Sequence, residues 1–309
     1  MDLNYFLKTR ILDGGMGQEL LARGLKAKGT LWSASALINE KYHQLVVDVH
    51  LDFIKSGADV IVTNNFSARR IRFIQNKCEK HFDQANVKAA ELAVKAKELS
   101  KKNILIAGSL PGQNDTYEPD TRDPGIIKKD FHDQAKLIKP YVNFFYLDVI
   151  SSGKECGIAL DVIEKFNLPV LVGLHIRKNG KLPSNESISQ VVQKYKTKNW
   201  LGLVAACVSP EIIENTVGEI KKLKIPFGFK ANLWKEQTPL PAFKIQTKEH
   251  GASDEIGINP NEVLGKRDDF TDIKFLEFSK KMMVKGATIL GGCCETKPLH
   301  IKKISSLKN

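Results

Sequence analysis

The stretch Gly286-Ala287-Thr288-Ile289-Leu290-Gly291-Gly292-Cys293-Cys294-Glu295-Thr296 joins a short apolar run to two glycines and two adjacent cysteines. The run 286–290 predicts a short buried strand, so the cysteines come where the backbone leaves a sheet. Adjacent cysteines do not readily form a disulfide with each other. With glycines freeing the backbone, however, both sulfurs can turn toward one metal ion. The stretch therefore predicts a strand end that carries chemistry.

A third sulfur is available from Cys207, which follows a second apolar run at 201–206. Catalytic zinc commonly takes three protein ligands and leaves a fourth position for water or substrate. The alternative is that all three are ordinary buried thiols, because free cysteine is among the most buried residue types. The position of the Gly-Gly-Cys-Cys sequence at a strand end favours a Zn²⁺ site formed by Cys207, Cys293 and Cys294.

Outward from this stretch, apolar runs alternate with longer segments of helical periodicity. Eight runs read as strands: 10–13, 58–63, 103–109, 141–148, 168–175, 200–206, 225–230 and 287–290. Strands that alternate with helices pair in parallel through right-handed crossovers, and eight such units predict a closed (β/α)8 TIM barrel of the α/β class. Because such barrels commonly take this length as one domain, we expect residues 1–309 to form a single domain.

Several helix ends can be read directly from the sequence. Asn39 is a candidate N-cap for a helix that Gly57 ends in the left-handed conformation. Ser209-Pro210 predicts another cap followed by proline at the first helical position. The segments 83–100 and 269–285 predict two of the longest helices, and 298–307 predicts the eighth helix of the barrel.

Two long polar excursions interrupt the alternation of strands and helices. Residues 111–125 have loop composition and follow a strand, so we expect them to lie over the barrel mouth. Residues 236–267 form the second excursion, which is either a binding element or an insertion without function.

Composition excludes several classes of function. The chain has 309 residues, 42% hydrophobic and 27% charged, without an apolar run long enough to cross a bilayer and without a secretory signal. Its five cysteines, an odd number, favour a cytoplasmic setting over a disulfide framework. The net charge of +12 comes from lysines scattered on helices, so we expect no nucleic-acid partner, although anionic substrates would be attracted.

The carboxyl ends of the predicted strands bring residues from the whole chain to one face of the barrel, where functional groups of this fold lie. The residues at these ends are Asp13, Gly14, Gly15, Asn64, Asn65, Ser109, Asp148, His175, Cys207, Asn232, Cys293 and Cys294. The cysteines belong to strands six and eight, which are separated by one strand, so a shared metal ion is geometrically reasonable.

These motifs resemble the homocysteine S-methyltransferase family over nearly the whole chain. The resemblance rests on Ile11-Leu12-Asp13-Gly14-Gly15-Met16-Gly17, Ser56-Gly57-Ala58-Asp59-Val60-Ile61, Ala107-Gly108-Ser109-Leu110, Cys207 and Gly286-Ala287 leading to Gly291-Gly292-Cys293-Cys294. It implies a barrel in which Cys207, Cys293 and Cys294 hold zinc, and in which the metal binds the thiol of homocysteine.

The resemblance also implies substrate contacts by Asp13, Gly14, Gly15, Asp148 and Asn232. Asp13 would bind the ammonium group of the acceptor, although Asp-Gly-Gly is also ordinary turn chemistry. Asp148 stands where the family usually has glutamate, so ammonium binding needs a shifted pose or a bridging water, or the acceptor differs. Ala206 and Ala231 replace an asparagine and a proline of the family. These departures leave the three cysteines unchanged and affect residues that are expected to contact the substrate.

The predicted reaction is zinc-dependent transfer of a methyl group to homocysteine, giving methionine, from a small sulfonium donor such as S-methylmethionine or S-adenosylmethionine. A thiol with a pKa of ~8.5 is mostly protonated at neutral pH, whereas the thiolate is the nucleophile, so a thiolate-rich metal site suits this chemistry. A donor such as betaine and a non-catalytic zinc-bearing barrel remain alternatives. We expect small-molecule partners and no membrane partner.

Overall fold

The computed structural model describes residues 2–253 and 255–308, and it contains a strand at each of the eight predicted positions. The strands are β1 (Arg10–Ile11), β2 (Val60–Val62), β3 (Leu105–Pro111), β4 (Phe144–Ile150), β5 (Val170–Leu174), β6 (Trp200–Val208), β7 (Phe227–Ala231) and β8 (Ile289–Gly292). They form one parallel sheet in the order β1-β8-β7-β6-β5-β4-β3-β2. A parallel bridge between Leu12 and Val60 joins the two ends of the sheet, so the predicted (β/α)8 barrel is confirmed.

Helices surround this sheet and fill its connections. They are α1 (Met16–Ala22), α2 (Ser35–Ile38), α3 (His43–Lys55), α4 (Arg70–Gln75), α5 (Phe82–Ser100), α6 (Pro124–Ile138), α7 (Gly153–Glu164), α8 (Ile188–Tyr195), α9 (Pro210–Lys222), α10 (Ala242–Ile245), α11 (Asn261–Leu264), α12 (Asp272–Val284) and α13 (Pro298–Ser305). Short 3₁₀ turns lie at Tyr5–Leu7, Gly29–Ala34, Glu40–Tyr42, Glu79–His81, Lys139–Tyr141 and Lys248–His250. In the described part of the chain, no helix is long and apolar enough to span a bilayer.

One predicted helix start differs from the structure, and a second lacks the hydrogen bond of its capping side chain. Asn39 caps the 3₁₀ turn Glu40–Tyr42, where its side chain accepts from the Lys41 amide, and α3 begins only at His43. Ser209 occupies the N-cap position of α9 and Pro210 its first helical position, as predicted, although the Ser209 side chain makes no capping hydrogen bond. Gly57 does end α3 in the left-handed conformation, with φ of 99°.

Apolar side chains form two layers, one inside the barrel and one between the sheet and the helices. The inner layer includes Leu12, Val60, Leu171 and Ile289, whereas the outer layer contains most of the apolar residues on the helices. The N-terminal end of the barrel is closed by Phe6, which is fully buried and packs edge-on against Phe144 at a centroid distance of 5.9 Å. The opposite end, where the strands finish, is therefore the open end.

The two long excursions meet over this open end. Asp115, from the segment between β3 and α6, accepts hydrogen bonds from the backbone amides of Ala242 and Phe243, at 3.1 and 3.0 Å. Ala242 and Phe243 belong to α10, in the segment between β7 and α12. The wall of the barrel mouth is thus built jointly by two segments that are distant in sequence.

Candidate metal and substrate site

Three sulfur atoms meet at the carboxyl end of the barrel. The Sγ atoms of Cys207, Cys293 and Cys294 all lie within 4.8 Å of one another. Cys207 Sγ is 3.8 Å from Cys294 Sγ, and the adjacent pair is 4.0 Å apart. All three are free thiols rather than members of a disulfide. The structure therefore brings together the residues that the sequence singled out as metal ligands.

Cys207 points inward because β6 is irregular at this residue. The pairing between β6 and β7 shifts between Ala206 and Val208, and Cys207 has a left-handed φ of 53°. In a regular strand, successive side chains face opposite sides, yet here both Ala206 and Cys207 face the barrel interior. The sequence reading ended the strand at 206, but β6 continues to Val208, and the bulge aims the thiol at the mouth.

Gly292 and Gly15 allow the Cys293-Cys294 loop to approach the loop after β1. A Cβ atom on Gly292 would lie 1.9 Å from Thr296 Oγ1, and one on Gly15 would lie 2.6 Å from the Cys293 carbonyl oxygen. Neither glycine has a positive φ. The glycines are thus required for close backbone approach, rather than for the backbone freedom that the sequence suggested.

The three thiols strongly influence one another's protonation. Burial opposes the charged form of Cys207, but hydrogen bonds from Cys293, Cys294 and Tyr117 hold the pKa of its thiol well below the ordinary value. The hydrogen bond to Cys207 and the neighbouring sulfur charge instead raise the pKa of Cys294 far above the ordinary value. Like charges this close cannot all form without a cation, so the cluster has the electrostatic character of a metal site.

Two polar side chains form hydrogen bonds with Cys207. The Tyr117 hydroxyl forms a hydrogen bond with Cys207 Sγ at 3.1 Å. Asn232 donates to the Cys207 carbonyl oxygen at 2.7 Å and lies 3.8 Å from its sulfur. Asn232 was predicted to contact substrate. In the structure its side chain contacts Cys207, which is a candidate metal ligand.

A cavity that is open to solvent extends from the sulfurs to the mouth. It is lined by residues at the carboxyl ends of β1, β2, β4, β6, β7 and β8 and by residues of both excursions. Charged side chains in its wall are Asp13, Arg69, Arg72, Asp148 and Lys230, and aromatic ones are Trp32, Phe66, Tyr117 and Trp234.

Asp13 already has a cationic partner from within the chain. Lys230, on β7, forms a buried salt bridge with Asp13 Oδ1, and the Val62 amide donates to Oδ2 at 2.7 Å. Burial raises the pKa of Asp13, and Lys230 and the Val62 amide oppose this shift. The charge of Lys230 is favoured by Asp13 and then by Asp148, which raise its pKa against the effect of burial. The residue predicted to bind a substrate ammonium therefore faces a protein ammonium.

Asp148 lies at a second bulge, between Leu147 and Ile150 of β4, where Val149 has a φ of 63°. Ser109 donates to Asp148 Oδ2 at 3.0 Å. Burial raises the pKa of Asp148 to about 6, although Lys230 and the Ser109 hydrogen bond lower it. Asp148 is thus mostly ionised at neutral pH and borders the cavity.

Aromatic residues form the wall beside the sulfurs. The Tyr117 ring lies 4.6 Å from the ring of His175 and packs edge-on against Trp234. His175 is buried, its Nδ1 lies 3.4 Å from the Ala206 carbonyl oxygen, and burial lowers its pKa to about 4. Burial therefore keeps His175 in its neutral form. Trp234 donates from Nε1 to Asn261 at 3.1 Å, which fixes the ring at the cavity wall.

The remaining predicted residues divide into two groups. Gly14, Gly15 and Asn64 line the cavity. Asn65 lies instead in a buried network, in which it donates to Asn86 and to the Ser109 carbonyl. This network underlies the mouth and does not border the cavity.

The cavity residues that the sequence reading missed include Arg69, Arg72, Tyr117 and Lys230. The alternation of Phe227, Phe229 and Ala231 toward the helices would have predicted that Lys230 faces inward. Arg69 and Arg72 are fully buried, although their sequence reads as a basic helix start. Tyr117 lies in a long loop, where periodicity gives no signal.

Comparison with known proteins gives one consistent family. The sequence model of the family "Homocysteine S-methyltransferase" matches residues 10–307. Homocysteine S-methyltransferase 1 of Brassica oleracea var. italica is 24% identical over 327 aligned positions, which cover 96% of this chain and 92% of the relative. Selenocysteine methyltransferase of Astragalus bisulcatus is 22% identical and covers 96% of this chain and 91% of its own length.

The fold is also similar to a solved structure. The metallated form of the homocysteine methyltransferase MmuM from Escherichia coli superposes with a TM-score of 0.77 at 19% identity, covering 99% of this chain and 100% of that chain. The oxidized form of the same protein gives 0.76 at 20% identity. At this level of identity the likeness supports the barrel fold.

Proposed function

This chain belongs to the homocysteine S-methyltransferase family and is a methyltransferase, and from this premise we propose that it methylates the thiol of homocysteine with Zn²⁺ at the three-cysteine cluster. The observation that carries the proposal is the meeting of Cys207, Cys293 and Cys294 on the floor of a cavity open to solvent. Three protein ligands with free space beside them suit a catalytic zinc that keeps one position open.

The spacing of the sulfurs fits the proposed ion. Tetrahedral zinc with Zn–S bonds of about 2.3 Å separates its sulfurs by about 3.8 Å, and two of the three separations are 3.8 and 4.0 Å. The opposed pKa shifts of the thiols support the same conclusion, because only a cation allows all three to be charged. When bound, zinc would lower the pKa of an acceptor thiol that reaches it and hold the sulfur in place for attack.

The chain's own residues would then orient the reactants. Tyr117 and Asn232 hold Cys207, and Tyr117, Trp32 and Trp234 provide ring faces in the cavity wall. A positively charged sulfonium donor is attracted to such faces, so we propose a donor such as S-methylmethionine or S-adenosylmethionine. Residues of both excursions line the cavity, where they would help to align the acceptor sulfur with the methyl carbon.

The reaction is a displacement at the methyl carbon. The acceptor thiol loses its proton to water, its sulfur forms a bond to the methyl carbon, and the carbon–sulfur bond of the donor breaks. The electron pair of that bond remains on the donor sulfur, which becomes a neutral thioether. Zinc undergoes no redox change, and the substrates supply every atom of the products.

The test combines metal analysis with a panel of donors. Protein stripped of metal and reconstituted with Zn²⁺ should bind one zinc per chain and convert homocysteine to methionine with a sulfonium donor. The variants Cys207→Ser, Cys293→Ser and Cys294→Ser should each lose most of the zinc and reduce the rate by at least about 100-fold. Cys78→Ser, which changes a half-buried thiol away from the cluster, should retain both.

Two results would refute parts of this proposal. Full zinc content in Cys207→Ser would show that the metal is held elsewhere. Activity with betaine but with no sulfonium would replace the proposed donor class. The presence of five free cysteines supports our further proposal that the protein works in the cytoplasm.

A further inference from the structure

Two arginines are buried in the wall of the substrate cavity. Arg69 and Arg72 are each 1% exposed, and both border the cavity. The guanidinium carbon of Arg69 lies 4.8 Å from the centre of the Phe66 ring, and that of Arg72 lies 4.1 Å from the centre of the Phe243 ring. Stacking on a ring leaves the edge of a guanidinium, which carries its N–H groups, for hydrogen bonds.

Arg69 has no salt bridge to a carboxylate in the described part of the chain. Its guanidinium donates to the carbonyl oxygens of Phe66 and Asn114, at 3.1 Å each, and to Thr116 Oγ1 at 2.8 Å. These oxygens are neutral, so they accept hydrogen bonds without balancing the charge. Because buried charges are normally paired, the surroundings of Arg69 lack an anion.

Arg72 has a carboxylate partner but also an unused donor. Its Nη2 pairs with Asp115 Oδ1 at 2.9 Å, whereas its buried Nη1 has no hydrogen-bond partner among the described residues. Burial and then the nearby charge of Arg69 lower the pKa of Arg72, and Asp115 raises it. Asp148 and Glu155 attract Arg69 without forming a salt bridge with it. A further anion beside the two guanidiniums would reduce their repulsion.

The arginines lie in the outer part of the cavity. Arg72 contacts both excursions, because it pairs with Asp115 of the first and packs on Phe243 of the second. The excursions meet over the open end of the barrel, whereas the sulfurs lie at the strand ends, where the Tyr117 hydroxyl contacts Cys207 Sγ. An acceptor that binds the metal through its sulfur therefore occupies the inner part of the cavity.

A methyl donor would enter this cavity from the mouth. Its methyl carbon has to face the acceptor sulfur, and its sulfonium is attracted to the ring faces of the wall. Phe66 and Tyr117 are two of these rings, and Arg69 lies over the ring of Phe66. A donor oriented in this way directs the rest of its chain toward the arginines.

We infer that Arg69 and Arg72 form a carboxylate-binding subsite for the methyl donor, so that the preferred donor is a sulfonium that carries a carboxylate. Guanidinium groups bind carboxylates through strong, charge-assisted hydrogen bonds. This inference rests on the proposed methyl transfer and narrows its donor class. It leaves the acceptor, and the expected contact of its ammonium with Asp148, unchanged.

S-methylmethionine and its carboxamide test the donor preference. The amide keeps the sulfonium and the ammonium and removes only the negative charge. With zinc-loaded protein and saturating homocysteine, kcat/KM should be at least tenfold higher for S-methylmethionine than for its amide. Calorimetry without acceptor should give a Kd at least tenfold lower for S-methylmethionine. Homocysteine and its carboxamide, compared at a saturating donor concentration, form the acceptor arm of the test.

The variant Arg69→Gln removes the charge and keeps a hydrogen-bond donor. The preference for S-methylmethionine over its amide should fall at least fivefold in both kcat/KM and Kd, whereas a merely structural role would weaken both donors equally. Arg69→Lys should retain part of the preference. Arg70→Gln is the matched control and should keep the wild-type ratio, because the neighbouring Arg70 pairs instead with Glu79 and Asp133.

Zinc content and circular dichroism confirm that each variant is folded and loaded with metal. Arg72→Lys provides a second test that does not depend on the folding of Arg69→Gln. It keeps a cation for the pair with Asp115 and removes the unpartnered Nη1. The preference for the charged donor should fall in this variant as well.

The outcomes separate this inference from the proposed function. If no thiol is methylated by any donor, the proposed function fails, while the two donor binding constants still decide the role of the arginines. Equal wild-type Kd values for S-methylmethionine and its amide, or binding of neither, would overturn the inference even if methyl transfer is observed. A ratio between homocysteine and its carboxamide that falls in Arg69→Gln, with an unchanged donor ratio, would assign the arginines to the acceptor and would also overturn it.

Discussion

The Tyr117 hydroxyl, 3.1 Å from Cys207 Sγ, contacts the sulfur cluster from the long segment between β3 and α6. A hydrogen bond from a neighbouring side chain to a metal-ligating residue orients that residue and spreads its charge. Loss of such a bond typically weakens metal affinity 10- to 100-fold. Tyr117→Phe removes the hydroxyl and preserves the ring that packs on His175 and Trp234. We expect the zinc Kd at pH 7 to rise about tenfold.

Competition with a chromogenic chelator measures this change. Tyr141→Phe is the matched control, because Tyr141 lies in the 3₁₀ turn before β4, at the opposite end of the barrel. Equal zinc affinity in Tyr117→Phe and wild type would show that the hydroxyl contributes nothing to the metal site.

Single residues also mark the limit of what sequence reveals about this site. The three cysteines were found because their type and their position at strand ends carry a chemical signal. Lys230 and Asp13 became a pair only when β7 and β1 were brought together across β8. Pairing between residues 217 positions apart depends on register and side-chain direction, which one sequence does not specify.

The capping residues at the helix starts differ in how much they contribute to the free energy of unfolding. Thr271 accepts a hydrogen bond from the Lys274 amide at the start of α12, whereas Ser209 makes no capping bond at α9, and its buried Oγ has no partner among the described residues. We expect Thr271→Ala to lower the free energy of unfolding by about 1 kcal/mol. Ser209→Ala should change it by less than about 0.5 kcal/mol, because no cap is lost.

Urea denaturation of the two variants beside wild type gives both values under one condition. A loss of 1 kcal/mol or more in Ser209→Ala would show that its hydroxyl caps α9 in solution. No loss in Thr271→Ala would show that the observed hydrogen bond is not stabilising.

Strand elements were located correctly by apolar runs, but their irregularities were not. The bulges at Val149 and Cys207 turn two consecutive side chains inward, so that Asp148 and Cys207 both reach the cavity. Left-handed backbone at valine and cysteine is costly, and the surrounding sheet must compensate for it. Nothing in the local sequence signals this conformation, because neither residue favours it.

At the scale of the molecule, the barrel was predictable because eight apolar runs alternating with helices allow few other topologies. The mouth was less predictable. Asp115 joins the two excursions through the Ala242 and Phe243 amides, and Arg72 is buried between Asp115 and the Phe243 ring. Such contacts between irregular segments follow no periodicity, so the sequence indicated where the mouth lies but not which side chains form its wall.

The stability of the whole molecule toward acid depends on its buried titratable groups. These groups contribute in opposite directions. Burial raises the pKa values of Asp148 to about 6 and Glu155 to about 7, so these groups bind protons more tightly when folded and stabilise the fold as pH falls. Burial lowers the pKa of His50 to about 3 and of His175 to about 4. The two histidines therefore destabilise the fold as pH falls, which opposes the effect of the two acids.

His50 offers the clearest test of this balance. It is fully buried in α3, and neither ring nitrogen has a hydrogen-bond partner among the described residues. Between pH 6.5 and 3 the unfolded chain binds a proton at His50 that the folded chain does not, so stability falls as pH decreases. From pH 7 to pH 5 this one group should cost about 2 kcal/mol. In His50→Leu that loss should disappear, which makes the variant about 2 kcal/mol less sensitive to this pH change than wild type. Urea denaturation at pH 7, 6 and 5 measures the difference, with the half-exposed His132→Leu as control. Parallel pH profiles for His50→Leu and wild type would mean that His50 becomes protonated within the folded protein.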